Sequence, residues 1–300
     1  MTTASRTDAR RRSRVGVHAP WWFVLPAIAL YAFIVAWPSL SGAFYSFTDW
    51  NGLAATWRIV GFENFAEVLE DRRALAALGN TVLLALVVTV AQNAIGLALA
   101  LAVNRTLKTR NWLKVVFFAP VVLTPIVAGY IWSYLLAPAG ALNEFLTGVG
   151  LQSWTRDWLG DPDTALYAIC AEIIWQFSGY SMVIFLAGLQ AIPEEVLEAA
   201  TIDGANAWKR FRHVVFPLLN GAVVINVMLS LIGGLKQFDQ VTAMTGGGPG
   251  TATETISTTI YKSAFSSGEY PLSIALAVVM TILIAVLAAI QYRLTLRKVS

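Results

Sequence analysis

The chain has 300 residues, of which 57% are hydrophobic and only 13% charged, and its formal net charge is +3. Water-soluble domains carry about a quarter of their residues as charges, so this balance excludes an ordinary soluble enzyme. A lone cysteine, Cys170, excludes an intrachain disulfide, and with His18 and His213 as the only imidazoles no metal site is expected.

Lysine, arginine, aspartate and glutamate are absent from 18–48, 74–104, 115–143, 214–235 and 270–292, and 164–190 holds Glu172 alone. A helix crossing the hydrocarbon needs about 20 apolar residues, and these runs lack the alternation of barrel strands. The expected class is an all-α membrane protein with six transmembrane helices. A basic amino-terminal tail, 1–17, precedes a transmembrane domain, 18–300, with crossings at about 20–44, 80–103, 115–136, 165–189, 214–235 and 272–292.

The first run is too long for a signal-peptide core and reads as a retained crossing. Trp21 and Trp22 anchor it at an interface, and Pro26 predicts a bend. After it, "FENFAEVLED" puts Phe62, Phe65 and Val68 on one face of a short surface helix. In the second crossing, Gln92 and Asn93 must find polar partners to avoid unsatisfied amides in lipid. Pro120 and Pro125 interrupt the third and free backbone carbonyls that other protein groups must satisfy. The fourth holds "CAEIIWQFSGYS", and Gly179 lets two helices approach. The fifth carries Asn220 and Asn226 and ends in "GGLKQFDQ". The glycines of "MTGGGPGTAT" lack the Lys-Ser/Thr ending of a phosphate loop and read as a flexible turn.

With the amino terminus placed in the cytoplasm, fifteen Lys and Arg fall on that side and six on the other. The positive-inside rule therefore puts both termini in the cytoplasm. The cluster "RTDARRRSR" sits directly before a crossing and reads as topology control, with no nucleic-acid partner.

Between the fourth and fifth crossings the chain turns polar: "EEVLEAATIDGANAWKRFRHVVFPLL", residues 194–219. Pro193 suits a helix start, and Glu194 and Glu195 favour its positive end. Val196, Leu197, Ala200 and Thr201 form a mostly apolar stripe at helical spacing. Gly204 tolerates the left-handed backbone that ends the helix, and Asp203 is placed to cap the next one. Trp208, Phe211 and Val215 line one side of that second helix, while Lys209, Arg210 and Arg212 face water or headgroups. A rigid helical knob on the cytoplasmic side transmits displacement that a floppy loop would dissipate.

These residues resemble the EAA loop of permease subunits in binding-protein-dependent ABC importers. Glu198, Ala199, Ala200, Asp203, Gly204, Ala205, Phe211 and Pro217 match the pattern. "FDQVTAMTGGGPGTATETI", from Phe238, and the opening "PWWFVLPAIALYAFIVAWPSLSGAFYSFTDW" are similar to carbohydrate-uptake permeases of the maltose-type first-permease and glycerol-phosphate kind. The resemblance implies a type I importer in a bacterial plasma membrane, multi-pass in membrane lipid. A second homologous permease subunit would complete the pore as a heterodimer. Two cytoplasmic ATPase subunits would bind ATP and Mg, and an extracytoplasmic solute-binding protein would deliver solute. This chain itself would bind no cofactor and catalyse no reaction. The helix before Gly204 would seat in a groove on the ATPase, with Glu198 making the polar contact there.

For the solute, Glu172, Trp175, Gln176, Ser178 and Tyr180 form one candidate set, against a reading of interhelical polar packing. Asn226, Lys236, Gln237 and Asp239 form a second, although Lys236 and Asp239 are spaced to pair with each other. A sugar or oligosaccharide is the first expectation; polyols and glycerol-phosphate-type solutes remain open. An ion-coupled secondary transporter is the rival class, but it needs no ATPase-docking knob.

Overall fold

A computed structural model describes residues 21–104 and 108–296. The basic tail 1–17, Arg105, Arg297 and Lys298 lie outside the described residues. The chain divides into two compact units, Met1–Phe44 and Tyr45–Ser300.

The described part of the first unit belongs to one helical rod, α1 (Trp22–Tyr45), whose apolar side chains are exposed. Pro26 does not bend it in the expected way. That proline sits at the start of the α-helical stretch Leu25–Tyr31, where a missing N–H costs nothing. The irregularity lies further on, where a wide π-helical turn, Ala32–Ala36, precedes Pro38.

In the second unit, two long helices form the spine: α3 (Arg72–Val103) and α7 (Pro162–Gln190). Small residues let them touch, since a β-carbon on Gly96 would lie 2.5 Å from Ser181 Cβ. The NH₂ groups of the amides expected to need partners have them, although Asn93 Oδ1 is buried with no partner among the described residues. Gln92 Nε2 donates to Ser181 Oγ at 2.8 Å, and Asn93 Nδ2 donates to Ser230 Oγ at 2.8 Å. A third apolar helix, α10 (Asn220–Leu235), packs on both, with Gly234 against Ala85 and Ala222 against Gly188. The last helix, α13 (Tyr270–Leu296), buries Leu272, Ala275 and Leu276 against Val68 and Ala74. Val68 belongs to α2 (Glu63–Glu70), the short helix read from "FENFAEVLED"; its Phe65 is half-buried, and Phe62, just ahead of the helix, is exposed but keeps its ring 5.9 Å from that of Phe65.

The third apolar run is not one straight crossing. Helix α4 (Arg110–Val122) and helix α5 (Pro125–Leu135) meet at 97°. Thr124 takes an extended backbone ahead of Pro125, as the residue before a proline tends to do. Likewise α9 (Ala207–Leu218) meets α10 at 68°, just after Pro217. Among the described residues four helices are thus long and apolar enough to span a membrane, or up to six if each bent pair is one span.

Around the bend, α5 packs on α11 (Asp239–Met244), with a β-carbon on Gly129 falling 2.9 Å from Ala243 Cβ. One core, with Leu84, Val88, Ile169, Ile173 and Val241, fills this end of the spine. The other, with Val103, Phe185, Leu189, Val215 and Leu219, fills the opposite end.

Candidate functional site

At the end holding the Val103–Leu189 core, α8 (Glu194–Ile202) and α9 form a hairpin. Gly204 makes the turn at φ +78°, and Ala205 N donates back to Ala200 O at 3.0 Å. Asn206, rather than Asp203, caps the second arm: its Oδ1 accepts from Lys209 N at 2.9 Å. Arg210 Nη1 donates to Thr201 Oγ1 at 3.1 Å and ties the arms together. The expected stripe divides in two. Leu197 and Ala200 are half-buried, Leu197 against the core, while Val196 and Thr201 are exposed, as are Glu198, Ala199 and Ile202. Of the second arm's stripe, Val215 is buried and Phe211 half-buried, but Trp208 is exposed. A groove of about 790 Å³ runs beneath, lined by Leu101, Leu189, Leu197, Glu198, Arg210 and Phe211.

A second hollow, about 320 Å³, lies among α3, α7 and α10. Gln92, Tyr180, Asn226, Ser230 and Gln237 supply its polar lining, Phe177 adds a ring, and no charged residue lines it among the described residues. So Tyr180, Asn226 and Gln237, drawn from both candidate solute sets, meet in one cavity. The other members do not. Gln176 is fully buried and donates to Leu123 O at 2.9 Å, re-satisfying a carbonyl at the α4–α5 break. Trp175 packs on Trp132 with ring centroids 5.5 Å apart. Ser178 Oγ donates to Ile174 O at 2.5 Å within its own helix. Glu172 is fully buried, with neither carboxyl oxygen partnered among the described residues. Lys236 and Asp239 are exposed and form no ion pair with each other among the described residues.

A family model described as "Binding-protein-dependent transport system inner membrane component" matches residues 92–300. The chain belongs to this family. It is a permease subunit of a type I ABC importer, which removes the ion-coupled rival. Over 278 residues the permease is 34% identical to a probable starch degradation products transport system permease protein of Thermoanaerobacterium thermosulfurigenes, covering 93% of this chain and 94% of that one. It is 31% identical over 282 residues to an sn-glycerol-3-phosphate transport system permease protein of Agrobacterium fabrum, covering 93% and 95%. The fold is that of a chain in the crystal structure of a bacterial ABC transporter involved in the import of alginate: TM-score 0.80 at 19% identity, covering 92% and 94%.

Sequence reasoning missed two groups in the permease. Gln240 is buried between Gln176 and Gln237 and hydrogen-bonds both. Its only signal was a glutamine three residues after Gln237, at helical spacing beside an apolar run.

Glu254 was missed as well. Its side chain is 2% exposed and is gripped by Arg73 (Nε–Oε2 2.7 Å, Nη2–Oε1 2.9 Å) and Lys262 (Nζ–Oε1 2.7 Å). Burial alone raises a carboxyl's pKa, but the hydrogen bonds from Arg73 and Lys262 outweigh it and hold Glu254 below its ordinary value. Asn80 Nδ2 donates to Ala252 O and Glu254 O, and Thr253 Oγ1 donates to Gly248 O at 2.8 Å. The glycine run read as a flexible turn is therefore pinned to α3 by side chains.

Proposed function

We propose that this permease imports a neutral sugar or oligosaccharide through the cavity among α3, α7 and α10. One observation carries the reading: three amides, two hydroxyls and two aromatic rings stand in an otherwise apolar lining, and no cation does among the described residues. Sugars are recognised by such hydrogen-bonding groups with ring faces, whereas an anionic solute calls for arginine or lysine. A glycerol-phosphate solute is the second reading, favoured by the Agrobacterium relative; the exposed position of Lys236, outside the cavity lining, speaks against it.

The α8–α9 hairpin is the coupling element. It lies in the cytoplasm with both termini, in keeping with the excess of lysine and arginine on that side. Its exposed Val196, Glu198, Ala199 and Ile202 meet a groove on an ATPase subunit, and Gly204 sets the turn. Ala200, Ala205 and Phe211 seat the hairpin on the permease, and Asp203 and Pro217 bound its two arms. A different, homologous permease chain completes the pore, two ATPase subunits bind ATP and Mg, and an extracytoplasmic binding protein delivers the solute. When the ATPases close, the stiff hairpin carries their movement to α7 and α10, between which it is strung in the chain.

The test is ATP-dependent uptake by the reconstituted importer with its binding protein, comparing maltodextrins with sn-glycerol 3-phosphate. Uptake of the phosphate ester in preference to every neutral sugar overturns the reading.

A further inference from the structure

The cavity's amides are oriented by groups outside it. A backbone carbonyl only accepts hydrogen bonds, so Leu123 O, freed at the α4–α5 break, requires the NH₂ of Gln176. That leaves Gln176 Oε1 to receive the NH₂ of Gln240 at 2.9 Å. Gln240 Oε1 in turn receives the NH₂ of Gln237. Each amide fixes the next, and turning any of them over sets oxygen against oxygen. Gln237 is the last member and lines the cavity, and its Oε1 is bonded to no donor among the described residues. On α10, Asn226 obeys the same logic in one step. Its NH₂ donates to the backbone carbonyl of Ser181 at 3.2 Å, which leaves its Oδ1 as the free atom.

We infer that the cavity presents two oriented acceptors, with Gln237 Oε1 and Asn226 Oδ1 as specificity-determining atoms and Gln176 and Gln240 as positioning residues. This rests on the reading of the cavity as the solute path. A solute meeting these two oxygens must supply O–H donors, as sugars and polyols do. A phosphate or carboxylate group has no O–H for these two oxygens and gains at most the one unused N–H of each amide. Selectivity then arises without any charge in the lining, from the amide orientation imposed by Leu123 through two buried glutamines.

The experiment uses the full importer complex in lipid nanodiscs with isotope-labelled glutamine, asparagine and tyrosine side chains. Maltose, raffinose, sorbitol and sulfate are titrated while side-chain resonances are followed by NMR. The neutral probes are expected to move the Gln237 and Asn226 carbonyl resonances, and sulfate, which carries no O–H at neutral pH, is not. Gln176→Met, outside the cavity, is expected to weaken sugar binding about tenfold, as for one lost hydrogen bond. It also frees Gln237 to turn its NH₂ outward, so the preference for sugar over sulfate collapses. Gln240→Met is expected to do the same. Equal loss for both probe types in these variants marks a merely structural role and overturns the inference. If neither variant folds, the wild-type titration decides. Should sugars move Tyr180 but leave Gln237 and Asn226 unmoved, the inference falls and the solute path stands. If no cavity resonance responds to any neutral probe, both fall.

Discussion

Gly179 of α7 lies so close to α4 that a β-carbon there would sit 2.0 Å from the carbonyl oxygen of Phe117. The obstacle is backbone, which cannot swing aside as a side chain can. Gly179→Ala is therefore expected to push α4 off α7 and destabilise the fold by about 1–3 kcal/mol. Gly79 of α3 is the control, because a β-carbon there meets nothing within 4 Å. Thermal unfolding in detergent should show a lowered midpoint for Gly179→Ala and an unchanged or slightly raised one for Gly79→Ala.

Gly204 presents the opposite case. Its φ of +78° is left-handed, yet a β-carbon there meets nothing within this chain. The demand is on the backbone alone, about 1–2 kcal/mol for an ordinary L-residue and less for asparagine. Gly204→Asn is expected to keep the hairpin and Gly204→Val to distort it. Uptake in proteoliposomes, read beside co-purification of the ATPase, separates them. Asparagine should retain most transport, and valine should lose roughly tenfold or more of ATPase association. Equal behaviour of the two variants would show that bulk against the partner, not φ, governs this position.

The long apolar runs were legible because lipid imposes a length and forbids charge, constraints that act on consecutive residues. The hairpin's turn was legible too, since Asp-Gly chemistry is local. What a single sequence hides is pairing across distance. Pro120 and Pro125 announced a break, but not its angle of 97°, nor that Gln176, 53 residues on, would satisfy Leu123 O. Glu254 gave no signal in the sequence because its partner Arg73 lies 181 residues away. Asn206 displaced Asp203 as the cap because the Gly204–Ala205 turn consumed two residues before α9 began.

The Glu254 network yields a pH dependence. Its folded pKa lies below the ordinary 4.5, so the ionised form is favoured by folding. The stabilisation is fully present above the unfolded value and is lost as pH falls through the lower folded one. Replacing Glu254 by Gln removes charge-assisted bonds from Arg73 and Lys262, at a cost of about 2 kcal/mol at neutral pH. The gap in melting temperature between wild type and Glu254→Gln is expected to shrink as pH is lowered through and below 4.5. A gap that stays constant across that range would show that the carboxylate's charge is not what holds the loop.

Glu172 sits in the middle of α7, fully buried, with both oxygens unpartnered among the described residues. An unsatisfied polar group of this kind costs about 1–3 kcal/mol, so fold stability alone gives no reason for it. Glu172→Met, similar in volume and apolar, is expected to raise the unfolding temperature of the purified permease. Glu172→Lys, which puts a fixed charge in the same place, is expected to prevent assembly. Transport by Glu172→Met then decides what the carboxyl is for, because ionisable groups at membrane depth tend to serve a pathway or a moving part. A more stable but slower importer places the Glu172 carboxyl in the transport cycle. A variant both more stable and equally fast leaves it as a tolerated cost of the helix packing.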